Sequence, residues 1–92
     1  MIIFSVYDKK AEYFLQPMFA RNAAQMLRDL SDVVSNRDSL LGKHPEDYAV
    51  YQLGQFDEIS GAIFECNRVK LGDCDSLFRP QLRPEQAGDI NV

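Results

Sequence analysis

The sequence has no tryptophan, a single histidine and only two cysteines among its 92 residues. One histidine gives little basis for a metal centre, which needs three or four convergent ligands. Two cysteines do not make the disulfide framework of a small secreted domain. No apolar run is longer than four residues, and the first residues lack the basic and apolar regions of a signal peptide. We therefore expect a soluble, cytoplasmic protein with no membrane partner, metal or cofactor.

Motifs for catalysis are equally scarce. His44 lies beside Glu46 and Asp47 and could serve as a base or ligand with them, but carboxylates in such a segment usually shape the turn. Cys66 and Cys74 lack the C-x-x-C spacing of zinc and redox sites, so free thiols are expected, and a disulfide would require the C-terminal segment to double back. There is no glycine-rich phosphate loop and no nucleophile elbow. The sequence predicts a protein that is not an enzyme and has no catalytic residues.

The first half of the chain predicts a strand, a short strand and a helix. Ile2–Asp8 alternates with apolar residues on both faces, as in a central strand, and residues 17–20 fit a short second strand at an edge. Asn22 is a favoured N-cap, and Gln25 can complete a capping box. A stripe of apolar residues then recurs at helical spacing: Ala23, Met26, Leu27, Leu30, Val33 and Val34. The pattern ends at Asn36, which could adopt the left-handed C-terminal conformation.

The second half predicts a hairpin followed by a tail. Residues 48–53 and 61–66 read as strands, joined by a type I turn with Gly61 at the positive-φ position. After Cys66 the periodicity fades, so residues 67–92 are interpreted as an extended or partly ordered tail and residues 1–66 as a single domain. The prediction is an α+β fold with one helix on a small, mainly antiparallel sheet in ββαββ order. Such a sheet leaves two edges and one bare face, which favours a homo-oligomer.

Charge is distributed unevenly along the chain. The net charge is −4, which argues against a simple polycationic nucleic-acid binder. Residues 1–43 hold six basic and five acidic side chains, whereas residues 44–92 hold four basic and nine acidic ones. An anionic partner should therefore approach the front half of the chain.

The front half also supplies candidates for a nucleic-acid surface. Single-stranded DNA needs cations for its phosphates and exposed rings for stacking. The candidate residues are Lys9, Lys10, Arg21, Arg28, Lys43, Tyr7 and Tyr13. Arg21 and Arg28 share a helix face if the helix begins at or before Arg21. The alternative is that these are solvated charges and surface ion pairs, such as Lys9 with Glu12, and that the tyrosines belong to the core or an interface.

Four blocks of the sequence resemble one family of phage proteins. They are residues 5–10 (SVYDKK), 17–22 (PMFARN), 43–48 (KHPEDY) and 51–57 (YQLGQFD), with Gly61 after them. In combination they are similar to the small nonstructural protein of gokushoviruses, tailless single-stranded DNA phages of the Microviridae. The resemblance covers about residues 3–64, and the segment after Cys66 lies outside it.

The resemblance implies a nonstructural, DNA-binding protein that acts in viral genome replication, where duplex synthesis gives way to single-strand synthesis. It brings no catalytic residues, and it implies the cytoplasm of the bacterial host rather than the mature virion. An oligomer could gather the front-half cations in one groove. The alternative function is an adaptor without DNA affinity that contacts the phage replication initiator, host replication proteins or assembly intermediates. A scaffolding or capsid-associated role is a third possibility.

Overall fold

The computed structural model describes residues 1–77 and has an α+β fold built on one antiparallel sheet of five strands. The elements are β1 (Ile2–Asp8), β2 (Tyr13–Phe14), β3 (Met18–Ala20), α1 (Ala23–Ser35), α2 (Leu40–Lys43), a 3-10 turn (Pro45–Asp47), β4 (Tyr48–Phe56), β5 (Ile63–Asp73) and α3 (Cys74–Leu77). Strand β1 pairs with β4, and β4 pairs with β5, which lies at the edge. The predicted α+β class is confirmed.

The predicted ββαββ order with a single helix is wrong in detail. Pro17 has no N–H to donate to a ladder, and two short strands flank it instead of one. Strand β2 pairs with the end of β1 at Tyr7 and Asp8, whereas β3 pairs with its beginning. Between α1 and β4 the chain also forms α2, which begins where the Ser39 hydroxyl accepts a hydrogen bond from the Gly42 N–H at 2.9 Å. A β-carbon on Gly42 would lie 1.9 Å from the Asn36 carbonyl oxygen, so this compact turn requires glycine.

Helix α1 begins where the sequence predicts. The Asn22 side chain accepts a hydrogen bond from the Gln25 N–H at 2.8 Å, which confirms the N-cap. Arg21 therefore precedes the helix. The predicted left-handed conformation of Asn36 is wrong: its φ is −81°, and its N–H donates to the Val33 carbonyl.

The hairpin turn is confirmed, and its strands are longer than predicted. Gly61 has φ of +80°, and its N–H donates to the Asp57 carbonyl at 2.8 Å. The Asp57 carboxylate accepts from the N–H groups of Ile59 and Ser60, and these bonds hold the pKa of that carboxyl below its usual value.

Strand β5 does not end at Cys66 but continues to Asp73 and leads directly into α3. The register between β4 and β5 shifts between Gln52 and Gly54, where residues 66–68 of β5 lie opposite Leu53 alone. This irregularity breaks the alternation of side chains, which is why the sequence pattern fades there. The remainder of the predicted tail, residues 78–92, lies outside the described residues.

The hydrophobic core lies between the sheet and α1. Its buried members are Phe4, Val6, Ala20, Met26, Leu30, Val34, Leu41, Tyr48, Val50 and Cys74. Cys74 is fully buried, so residues after Cys66 contribute to the core, and burial raises the pKa of the Cys74 thiol to about 11. Both cysteines are free thiols, as predicted. The longest described helix has 13 residues, and within residues 1–77 no helix is long and apolar enough to cross a membrane.

Candidate nucleic-acid interface

The face of the sheet turned away from α1 carries a cluster of three aromatic rings. Successive side chains of a strand point to opposite faces of the sheet. The side chains of Ser5 and Tyr7 in β1 therefore lie on the face opposite to the one that Val6 occupies. Phe14 is the register partner of Tyr7, and Tyr51 is the partner of Ser5, so all of them lie on the same side. We call this side the open face, and we call Tyr7, Phe14 and Tyr51 the ring triad.

The rings of the triad contact one another and leave part of their surface exposed. The Tyr7 and Phe14 centroids are 4.9 Å apart, those of Phe14 and Tyr51 are 5.6 Å apart, and those of Tyr7 and Tyr51 are 6.2 Å apart. These tilted and edge-to-face arrangements are the favoured ones for aromatic pairs. Arg68 of β5 completes an open groove of about 440 Å³ over the triad, a size within the range of ligand sites.

Two lysines lie next to this groove and share one carboxylate. Lys70 is the register partner of Tyr51, and its Nζ lies 3.0 Å from Asp73 Oδ1. Lys9, just after β1, reaches the same oxygen at 3.4 Å. The hydrogen bond with Asp73 raises the pKa of Lys70, and the bond with Lys70 lowers the pKa of Asp73. All three side chains are partly exposed, where ion pairs are weak, so phosphate oxygens can compete with Asp73 for both lysines.

The β4–β5 irregularity adjoins the triad through Arg68. An opening of about 600 Å³ lies beside Leu53, and Arg68 lines it together with Glu65, Cys66 and Asn67. Next to this opening the two strands approach very closely at Gly54. A β-carbon at this position would lie only 2.3 Å from the Phe64 carbonyl oxygen. Bulges of this kind redirect side chains, and here the irregular segment contains the arginine that lines the groove together with the rings.

This arrangement combines the two components of a single-strand interface. Exposed rings on a sheet provide stacking platforms for unpaired bases, and nearby cations contact the phosphates. Lys9, Arg68 and Lys70 are the cations next to the triad.

The structure brings only two of the seven residues predicted for a nucleic-acid surface to this groove, Tyr7 and Lys9. Arg21 lies near the opposite end of β1, where Nη1 is 2.6 Å from Glu58 Oε2. Tyr13 is the partner of Asp8 and so belongs to the helix side of the sheet. The other three predicted residues are exposed and separate from the groove: Lys10 in the loop after β1, Arg28 on α1 and Lys43 at the end of α2.

Four residues of the groove were missed by sequence reasoning: Phe14, Tyr51, Arg68 and Lys70. Tyr51 joins Tyr7 only through the register of β1 and β4, which pairs residues 40 or more positions apart. Arg68 and Lys70 lie in the segment whose alternation the irregularity interrupts. The sequence signal available was the aromatic content of residues 48–53, which predicted a strand but not its partner.

One described group of residues could supply three metal ligands. Ligand atoms of His44, Glu46 and Asp47 all lie within 4.8 Å of one another on the surface. They surround the 3-10 turn, where the Asp47 carbonyl accepts a hydrogen bond from the Lys9 N–H at 2.8 Å. This contact extends the β1–β4 pairing.

The fold and the groove define a small α+β protein with an open aromatic sheet face. The family model described as Phage ORF5 protein matches residues 1–77, and the chain belongs to this family of phage proteins. No curated protein and no solved structure matches the chain.

Proposed function

We propose that this phage protein binds single-stranded DNA through the open face of its sheet and acts in viral genome replication. The observation that carries the proposal is the ring triad with Arg68, Lys70 and Lys9 beside it. Stacking requires unpaired bases, so the surface suits a single strand better than a duplex. Binding in this way favours single-strand synthesis, because the product strand is held apart from its complement.

The biological setting follows from the resemblance together with the family. Membership in a phage family agrees with the gokushovirus character suggested by the sequence blocks, and we propose that the protein works as a nonstructural component in the cytoplasm of the bacterial host. The acidic net charge of the whole chain does not oppose this role, since Arg68, Lys70 and Lys9 lie beside the rings with a single carboxylate, that of Asp73, between the two lysines. The bound strand meets these local charges first.

We also propose that the protein forms a homo-oligomer through the free edge of β5. This strand is 11 residues long and is paired on one side only among the described elements. Ile63, Phe64 and Val69 on it are 69%, 57% and 48% exposed. A long apolar edge strand is a template for pairing with another chain. Light scattering of the protein with and without Val69→Lys tests this association, which the substitution should weaken.

The test of DNA binding is fluorescence anisotropy of a labelled single-stranded oligonucleotide titrated with the full chain at two salt concentrations. Each phosphate contact on a single strand contributes about −0.7 to the slope of log K against log salt. Three cations predict a slope of about −2. Arg68→Glu should weaken binding and make the slope shallower.

Arg28→Glu is the matched control, because it makes the same charge change on α1, away from the groove. The oligonucleotide affinity of Arg28→Glu should stay within about twofold of the wild type. Any small loss comes from the change in the overall charge of the protein. Equal losses for the two variants would argue against the groove. Absence of binding at low salt would favour the adaptor function, and the partner would then be sought among the replication initiator and host replication proteins.

A further inference from the structure

A second pair of rings lies on the open face beyond the triad. Phe19 of β3 is the register partner of Ile3, and residues 3, 5 and 7 of β1 share one face. Phe19 therefore lies on the same side as Tyr7. Its ring contacts that of Phe56 at a centroid distance of 5.6 Å, and Phe19 is 50% exposed. The open face thus presents two separate aromatic clusters.

The two clusters are aligned along the central strands. Ile3 and Tyr7 are four residues apart on β1, which corresponds to about 13 Å. On β4, Leu53 and the opening beside it lie between Tyr51 and Phe56. We call the whole row of rings the ring strip; it consists of Tyr7, Phe14, Tyr51, Phe19 and Phe56.

Charge along the ring strip indicates which partner fits it. Lys9, Arg68 and Lys70 lie at the triad end, whereas Asp57 and Glu58 follow Phe56 at the other end, where Arg21 is paired with Glu58. A second copy of the chain laid over the strip would remove from water Arg68, which has no ion-pair partner among residues 1–77, and two lysines that share the single carboxylate of Asp73, which is costly. A single nucleic-acid strand compensates them with phosphates and places its bases on the rings.

We infer that the ring strip binds one continuous segment of single-stranded DNA. The cations at the triad end contact the phosphates there, and further bases stack along the strip as far as Phe19 and Phe56. The inference rests on the proposed function and adds the footprint, that is, the number of nucleotides that one protein chain contacts. Neighbouring stacked nucleotides are about 3.4 Å apart, so about 13 Å corresponds to about four steps, or five nucleotides. A shorter strand reaches the triad but not the second pair.

The test measures affinity as a function of oligonucleotide length. Labelled oligothymidylates of three, five and eight nucleotides are titrated with the full chain at low salt. Wild-type affinity should rise strongly between three and five nucleotides. Phe19→Ala should weaken binding of the eight-nucleotide strand roughly tenfold, the effect of one lost stacking platform, and leave the three-nucleotide strand within about twofold.

Tyr13→Ala is the matched control. Tyr13 is an exposed aromatic residue whose partner is Asp8, so it belongs to the helix side of the sheet, and it lies away from the β5 edge. It should leave both affinities within about twofold of the wild type. Phe56→Ala provides a second variant of the pair, and Phe19→Tyr should restore wild-type length dependence.

The outcomes separate the footprint from the proposed function. If Phe19→Ala weakens the binding of long and short strands equally, or changes the binding of neither, the footprint is wrong while DNA binding stands. If it changes the oligomeric state in light scattering and not the length dependence, the ring pair contacts a second copy and the inference is overturned. If no strand binds the wild type at any length, the proposed function itself fails.

Discussion

The two faces of the sheet are built from alternate residues of the same strands, but they differ in what covers them. On the helix side Val6 and Val50 are 1% and 0% exposed beneath α1. On the open face Tyr7 and Tyr51 keep part of their rings accessible, and Phe19 is half-exposed. Apolar residues on the helix side stabilise the fold, whereas aromatic residues on the open face are available to a partner. Substitutions on the two faces should therefore affect different measurements.

The largest effect is expected on the helix side. Met26 is 1% exposed in the core, and Met26→Ala should lower the free energy of unfolding by about 2–5 kcal/mol through lost burial and a cavity. Denaturant unfolding measures the change. Oligonucleotide affinity of the remaining folded protein should stay within about twofold. A tenfold loss of affinity in that folded fraction would contradict the separation of the two faces.

The second prediction concerns Cys74, which lies under the helix side of the sheet. Its pKa is raised from 9.0 to about 11, so the unfolded chain ionises first as the pH rises. The stabilisation is complete below pH 9 and is lost as the pH approaches 11, by at most about 2–3 kcal/mol. Thermal unfolding between pH 8 and pH 11 should show a steeper loss for the wild type than for Cys74→Ala.

If the wild type and Cys74→Ala lose thermal stability equally between pH 8 and pH 11, the Cys74 thiol does not contribute to the pH dependence. A thiol reagent gives an independent check at neutral pH. Cys66 is partly exposed and should react in the folded protein, whereas Cys74 is fully buried and should react only on unfolding.

On the open face, Tyr51→Ala should act mainly on binding. Loss of one stacking ring is expected to weaken oligonucleotide affinity by about 1–3 kcal/mol, or roughly tenfold. Tyr51→Phe keeps the ring and should bind within about twofold of the wild type. An alanine variant that loses stability but retains affinity would mean that the triad serves the fold alone.

The smallest effect is expected at Asp73, which holds Lys9 and Lys70. Asp73→Asn removes the competing carboxylate charge and should strengthen oligonucleotide binding about two- to fivefold at low salt, with no gain at high salt. Stability should change by less than about 1 kcal/mol, because these ion pairs are exposed. Asp75→Asn, two residues further on, is the control for net charge. Weaker binding of Asp73→Asn would mean that Asp73 orients the lysines rather than competing for them.

Local signals in the sequence were sufficient for the elements they govern. Asn22 predicted the start of α1, Gly61 predicted the hairpin turn, and the two-sided apolar pattern of Ile2–Asp8 predicted a central strand. Each of these depends on hydrogen bonds or periodicity within a few residues.

The candidate site was less predictable, because it depends on pairing between distant segments. Tyr7 and Lys9 were identified from their residue types, but Tyr51 reaches Tyr7 only through the β1–β4 register. The position of Arg68 could not be predicted, because it lies in the irregularity opposite Leu53, where the side chains of β5 depart from simple alternation. The front-half cations were expected to act together, and the fold instead separates Arg21 from Lys9 by the length of β1, about 20 Å.

The central position of β1 also has a consequence during synthesis. Among the described strands this one is made before the others, and its partner β4 ends only at Phe56. At about 5–20 residues per second, β1 therefore remains without its main pairing for several seconds. Until then β3 and the nascent α1 can cover only part of its apolar residues. Nascent chains that stop before β4 should therefore aggregate or bind chaperones, and the protein acquires its fold only when the second half of the chain arrives.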